Sequence, residues 1–208
     1  VTPALVLDLD RTLVDVQTFT DYSAAVADVE REMGAIELVD VPDTEWRSAT
    51  RTAMAMLVAL AGDPDRWQQA SDLIERHELA AVDQAVAMPG LDGFLAATAG
   101  VPRAIATLMG PTAMDAVCER FAIGVPLRVG RESDMVPKPA PDQVLRACQL
   151  LAVDPADAKM LGDSTWDREA ALAAGAGFVG LTNGRPSEFP PGTVLAEDLN
   201  AAVPLLVS

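Results

Sequence analysis

Positions 4–10, Ala-Leu-Val-Leu-Asp-Leu-Asp, form a short apolar run that ends in carboxylates. Such a run predicts a strand buried on both faces whose C-terminal tip turns polar. From about Val16 to Ala87 the pattern changes, and no strand is expected there. Apolar positions recur at helical spacing over 20–33, 43–60 and 64–86, with breaks at Gly34 and at Gly62-Asp63-Pro64. Asp63 before Pro64 has the form of an N-cap followed by proline in the first helical position.

Beyond Met88-Pro89-Gly90 the chain alternates. Strands are predicted at 102–107, 127–129, 159–162 and 177–181, and helices at 111–121, 141–151, 166–174 and 200–206. This alternation predicts an α/β fold with a doubly wound parallel sheet. The expected organisation is an α/β core of residues 1–15 and 88–208, with an all-helical segment, 16–87, inserted after the first strand. In such sheets ligands bind at the C-terminal ends of the strands, so the residues just past each strand carry the functional question.

Composition sharpens this picture. Of 208 residues half are hydrophobic but only 4% are aromatic, so the core is expected to be built from Ala, Val, Leu and Met. The formal charge of −16 argues against nucleic acid or anionic lipid as partner, and no Lys/Arg run offsets it. An anionic substrate would need local cations in that unfavourable field. Cys118 and Cys148 stand outside any metal-binding spacing and suit a reducing compartment. No apolar window approaches the roughly 18 residues of a membrane span. No positively charged segment precedes the first apolar run, as a signal peptide requires, and a cytoplasmic location is expected.

Four strand ends or loops carry candidate chemistry: Asp8, Asp10 and Thr12; Thr107; Lys138 between Pro137 and Pro139; and Asp163 with Asp167. Each has an ordinary alternative. Asp-x-Asp also suits a solvated turn, Lys138 a surface turn, Thr107 a strand end, and Asp163 or Asp167 a helix N-cap. Oxygen donors from Asp8, Asp10 and Asp163 would together suit Mg²⁺, which binds few protein ligands and keeps places for water and phosphate.

In order and spacing, Asp-Leu-Asp-Arg-Thr-Leu, a strand-end Thr, Lys-Pro-Ala-Pro-Asp and Gly-Asp-Ser-Thr-Trp-Asp resemble the four motifs of the haloacid dehalogenase-like superfamily. The resemblance covers residues 4–14 and 89–182, and the joint pattern is highly specific. It implies a Rossmann-like core and makes the inserted helices similar to the cap of phosphoglycolate phosphatases and β-phosphoglucomutases. It also implies a Mg²⁺-dependent phosphatase acting on a small phosphorylated metabolite. In that scheme Asp8 is the nucleophile that becomes an aspartyl-phosphate, and Asp10 protonates the leaving oxygen and then activates water. Thr107, the Leu108 backbone N–H and Lys138 hold the phosphoryl oxygens. Asp8, the Asp10 carbonyl and Asp163 hold the metal, Thr12 supports the first motif, and Asp167 braces Lys138 or a metal-bound water.

The sequence also departs from that pattern. Arg11 stands where the superfamily usually has Gly, and its guanidinium either reaches the substrate's distal group or lies on the surface. Leu108 stands where many relatives carry Asn, so only the backbone donor remains. The presence of Asp10 argues against dehalogenation. Thr12 resembles the phosphatase version of the motif more than the phosphomutase version, which usually has Val. A phosphomutase and a non-catalytic phosphate-binding relative remain the alternatives. In the helical segment Arg47 and Arg51 lie one turn apart and could clamp a substrate anion or pair with nearby acids. His77, among charged neighbours, reads as a solvated helix position. Trp46, Trp67, Met54 and Met56 read mainly as core or as contacts between the helical segment and the α/β core. The oligomeric state and the substrate are not legible.

Overall fold

The computed structural model describes residues 3–42, 44, 46, 48–187 and 189–207. β1 (Ala4–Leu7) is buried at every position, as its apolar run requires. After a tight turn the chain forms the two-residue β2 (Val14–Asp15), then α1 (Tyr22–Met33), α2 (Ser48–Ala59) and α3 (Pro64–Ala81). Asp63 caps α3 as the sequence suggests, its side chain accepting from the Arg66 amide. The chain returns through β3 (Val86–Ala87), which pairs antiparallel with β2.

That ribbon corrects the expectation of a helix running to 86 and of no strand before 87. A 3₁₀ turn over Val82–Gln84 ends the helix, and the Met88 amide donates to the Leu13 carbonyl at 2.9 Å just beyond the ladder. Two residues are too few to show a strand period. The second helix begins at Ser48, later than its spacing suggests.

The rest alternates: α4 (Leu91–Ala97), β4 (Arg103–Ala106), α5 (Pro111–Arg120), β5 (Leu127–Val129), α6 (Asp142–Leu151), β6 (Ala158–Gly162), α7 (Thr165–Ala174), β7 (Gly177–Leu181), β8 (Leu195–Ala196) and α8 (Leu199–Val207). α4 and β8 are additions to the predicted set, and both are short. The parallel six-stranded sheet has the order β5-β4-β1-β6-β7-β8. Chain order therefore reverses between β1 and β6, the topological switch point at which doubly wound sheets bind ligands.

Each sheet face is covered. Leu5 and Leu7 pack on one side with Phe94, Val117 and Leu199 from α4, α5 and α8. Val6 points to the other, where Val144, Ala147, Ala170 and Ala171 of α6 and α7 lie against Ala104 and Ala106. The small alanines on both surfaces let helix and sheet approach closely. A further cluster belongs to α1–α3, centred on Val29, Met56, Leu57, Trp67 and Ile74. Trp166 at the start of α7 inserts into it, fully buried. Among the described residues no helix is long and apolar enough to cross a membrane.

Candidate active site

β1 stops at the switch point and delivers Asp8 there, its amide held by the Leu161 carbonyl of β6 at 2.9 Å. One carboxylate oxygen accepts from Thr12 Oγ1 at 2.9 Å and the other from Lys138 Nζ at 2.8 Å. Burial pushes the Asp8 carboxyl up to about 6, helped by the nearby Asp167 carboxylate and opposed by Lys138 and Thr12. A hydrophobic strand thus carries a carboxylate into a place that only specific partners make tolerable.

Lys138 is not a surface residue: it is 2% exposed. Its ammonium also donates to Asp167 Oδ1 at 2.6 Å and to the Ala106 carbonyl, which ends β4, at 3.1 Å. Burial would depress its pKa, but the Asp167 and Asp8 carboxylates outweigh burial and hold it above the usual lysine value. Gln143 of α6 anchors the loop. Its Oε1 accepts from the Lys138 amide at 3.3 Å, and its Nε2 donates to the carbonyls of Thr107 (2.5 Å) and Gly130 (2.9 Å). Sequence reasoning missed Gln143, because a glutamine in a first helical turn carries no distinguishing pattern.

β6 delivers Asp163, and Ser164 caps α7. Asp167 closes a capping box with Ser164 through Oδ2 while its Oδ1 holds Lys138. One carboxylate therefore starts the helix and fixes the ammonium. Gly162 makes room for this turn, since a Cβ there would lie 2.5 Å from the Asp167 Cβ. Asp8, Asp163 and Asp167 present carboxylate oxygens within 4.8 Å of one another. These buried hard-oxygen donors fit Mg²⁺. Asp8 and Asp163 are the two carboxylates expected to hold the metal, and Asp167, expected to brace Lys138, stands with them.

Asp10 lines the same small cavity as Asp8, Lys138, Asp163 and Asp167, but its carboxylate has its own partners. Its Oδ1 accepts from the amides of Val16 (2.8 Å) and Gln17 (3.0 Å). Burial raises this carboxyl to about 7, against those two amides, with smaller upward pushes from Asp8 and Asp15. Thr107 is buried beside the same cavity, its Oγ1 accepting from the Met109 amide at 3.3 Å. Leu108 also lines it.

Arg11 holds the left-handed region (φ 62°) where Gly is usual, and the Asn183 side chain donates to its carbonyl at 2.8 Å. Its Nε lies 3.5 Å from Asp163 Oδ2, an oxygen that also accepts from Arg185 at 3.0 Å. Both arginines line a groove of about 290 Å³ that also takes in Thr182 and Phe189. Arg51 donates to the Val41 carbonyl at 2.7 Å and is not among the residues lining the Asp8 cavity. Arg47 lies outside the described residues.

Among the described residues the helical segment joins the α/β core through three sets of contacts whose pairings are absent from the sequence reading. Trp166 tilts against Trp46 (ring centroids 4.8 Å apart) and donates to the Pro42 carbonyl at 3.1 Å. Arg131, fully buried after β5, donates to Glu78 of α3 at 2.6 Å, to the Leu108 carbonyl at 2.7 Å, and to the Ser71 hydroxyl and carbonyl at 2.9 and 3.1 Å. Glu78 also accepts from the Gly110 amide at 3.0 Å and the Tyr22 hydroxyl at 3.2 Å. Glu75, one turn earlier, takes the Thr112 and Ala113 amides at the start of α5. His77 pairs with Asp28, away from this cluster.

The model of the haloacid dehalogenase-like hydrolase family matches residues 2–175. A phosphoglycolate phosphatase of Pseudomonas putida is 31% identical over 97% of this chain and 79% of its own length. Among solved structures, a hydrolase from Pseudomonas syringae superposes with a TM-score of 0.72 at 20% identity, covering 99% of this chain and 98% of that one. CbbY from Rhodobacter sphaeroides, in complex with phosphate, gives 0.70 at 20% identity, covering 97% and 96%.

Proposed function

We propose, from the premise that this chain belongs to the haloacid dehalogenase-like hydrolase family and is a phosphatase of it, that it hydrolyses a small phosphate monoester through an aspartyl-phosphate on Asp8. The observation that carries this reading is the buried Lys138 ammonium, bonded at once to Asp8 and Asp167 at the sheet's switch point. It supplies the local cation that an anionic substrate needs in a chain of net charge −16.

In this reading Asp8 attacks phosphorus while Thr12 and Lys138 fix its two oxygens. Thr107 Oγ1, the Leu108 amide and Lys138 receive the phosphoryl oxygens. Asp10, steadied by the Val16 and Gln17 amides, gives a proton to the leaving oxygen, and its raised pKa keeps a protonated fraction near neutral pH. It takes a proton back from the water that opens the acyl phosphate. Asp8, Asp163 and the Asp10 carbonyl would hold Mg²⁺, which when bound offsets the charge between nucleophile and phosphate. We take α1–α3 as a cap over the core, closing the site to bulk water. The direct test is phosphate release from a panel of phosphorylated metabolites with Mg²⁺ and with EDTA. Selective, metal-dependent release is expected, and silence from folded protein across the panel would overturn the reading.

Two smaller predictions follow from the same contacts. Lys138→Ala is expected to lower kcat/KM by about 10²–10³-fold, with weaker inhibition by inorganic phosphate. Unchanged kinetics would leave Lys138 a purely structural cation. Asp10→Asn concerns stability. A carboxyl raised to about 7 in the folded state, against 3.8 unfolded, contributes stability that is fully present below about pH 4 and lost as pH rises through 7. In EDTA, the Tm of Asp10→Asn minus that of the wild type should therefore grow between pH 5.5 and 8.5. A gap that stays constant would mean Asp10 is ordinary in acidity.

A further inference from the structure

The cavity beside Asp8 is small, about 30 Å³, and its lining divides by charge. Asp8, Lys138, Asp163 and Asp167 gather at the strand ends. Asp10 sits beside them, and the remaining described lining from α1, α2 and the segments before them is neutral: Gln17, Tyr22, Trp46, Thr50 and Met54. Tyr22 narrows this further: its hydroxyl hydrogen goes to Glu78, so its oxygen is left to accept. An acceptor there suits a hydroxyl and opposes a carboxylate.

The described cations of the helical segment are engaged or exposed. Arg31 is paired with Asp28 and Glu32, Arg76 lies near Glu32, Arg66 is exposed, and Arg51 donates to the Val41 carbonyl. Arg131 is committed to Glu78, Ser71 and Leu108, and Arg11 and Arg185 to Asp163, which lines both this cavity and the adjoining groove. Among the described residues, an anion placed beside Trp46, Met54 and the Tyr22 oxygen would lose its hydration without gaining a cationic partner. We propose that the substrate's leaving group is uncharged, a short alcohol or polyol, and carries neither a carboxylate nor a second phosphate. This deepens the phosphatase reading above and rests on it.

The matched pair 2-hydroxyethyl phosphate and 2-phosphoglycolate differs only at the distal group, CH₂OH against COO⁻. The wild-type protein with Mg²⁺ should show kcat/KM at least about tenfold higher for the hydroxyl ester. Thr50→Lys, placing an ammonium on the neutral wall, should shrink or invert that ratio; Gln17→Lys does the same if the first variant does not fold. Equal or higher kcat/KM for phosphoglycolate in the wild type would overturn the inference, and if Arg47→Ala removed that activity the carboxylate site would lie at Arg47. A ratio unmoved by either lysine would also count against it. Acetyl phosphate separates the two levels of argument. If it is hydrolysed in an Asp8-dependent manner while phosphoglycolate is preferred, only the leaving-group inference fails. If neither it nor either ester releases phosphate, the phosphatase reading falls and takes the inference with it.

Discussion

Asp8→Asn should reduce phosphate release by at least about 10⁴-fold, because it removes the attacking oxygen and leaves nothing equivalent in its place. The fold should survive. Asn keeps an acceptor for Thr12 Oγ1, and Lys138 keeps Asp167 at 2.6 Å and the Ala106 carbonyl at 3.1 Å. The wild-type carboxyl is raised to about 6 by burial, so its contribution to stability is lost as pH rises through that value. In EDTA at pH 8 the variant should therefore melt as cooperatively as the wild type. Steady-state phosphate release and a circular-dichroism melt on one preparation check both halves. Turnover within tenfold of wild type would remove Asp8 from the role of nucleophile, and lost activity with a lost melt would say only that the residue is structural.

The second large effect concerns Arg131. Replacing it by Met leaves the Glu78 carboxylate 1% exposed with two neutral donors, the Gly110 amide and the Tyr22 hydroxyl, and no cation. Breaking a buried pair from one side costs about 3–5 kcal/mol. Arg131→Met should therefore be destabilised by about that amount in urea unfolding, while Arg131→Met with Glu78→Gln should recover much of it, since no uncompensated charge remains. A single variant within about 1 kcal/mol of wild type would show that Glu78 finds water or a proton easily, and that this network holds little.

The difference between these two sites also marks what a sequence can reveal. Asp8, Lys138, Asp163 and Asp167 each had an ordinary local alternative, and it was their joint order and spacing, resembling the four superfamily motifs, that singled them out. The fold brings their side chains together. The parallel sheet was legible from the alternation of short strand-like and helical segments after residue 88. Arg131 and Glu78 are 53 residues apart, and each alone resembles a surface residue on a loop or helix. Nothing local reports that the tertiary fold buries both. The β2–β3 ribbon was hidden by its length, two residues against two, and α4 by being seven residues long. Arg11 shows a different failure. The sequence left its guanidinium between the substrate and the surface, and its direction, toward Asp163 and Arg185, depends on a loop that comes more than 170 residues later.

The insertion of Trp166 into the cluster of α1–α3 has an optical consequence. The chain has three tryptophans. Trp67 and Trp166 are buried in that cluster, and Trp46 packs against it. Of the helices on the sheet's two faces only α7 carries an indole, Trp166, and that ring lies in the α1–α3 cluster. Intrinsic fluorescence excited at indole wavelengths is therefore a native, label-free signal from the helical layer and its seam with the Asp163–Asp167 loop. Far-ultraviolet dichroism, by contrast, averages over every helix and strand in the chain. Recorded together during unfolding, the two signals separate release of the helical layer from melting of the sheet.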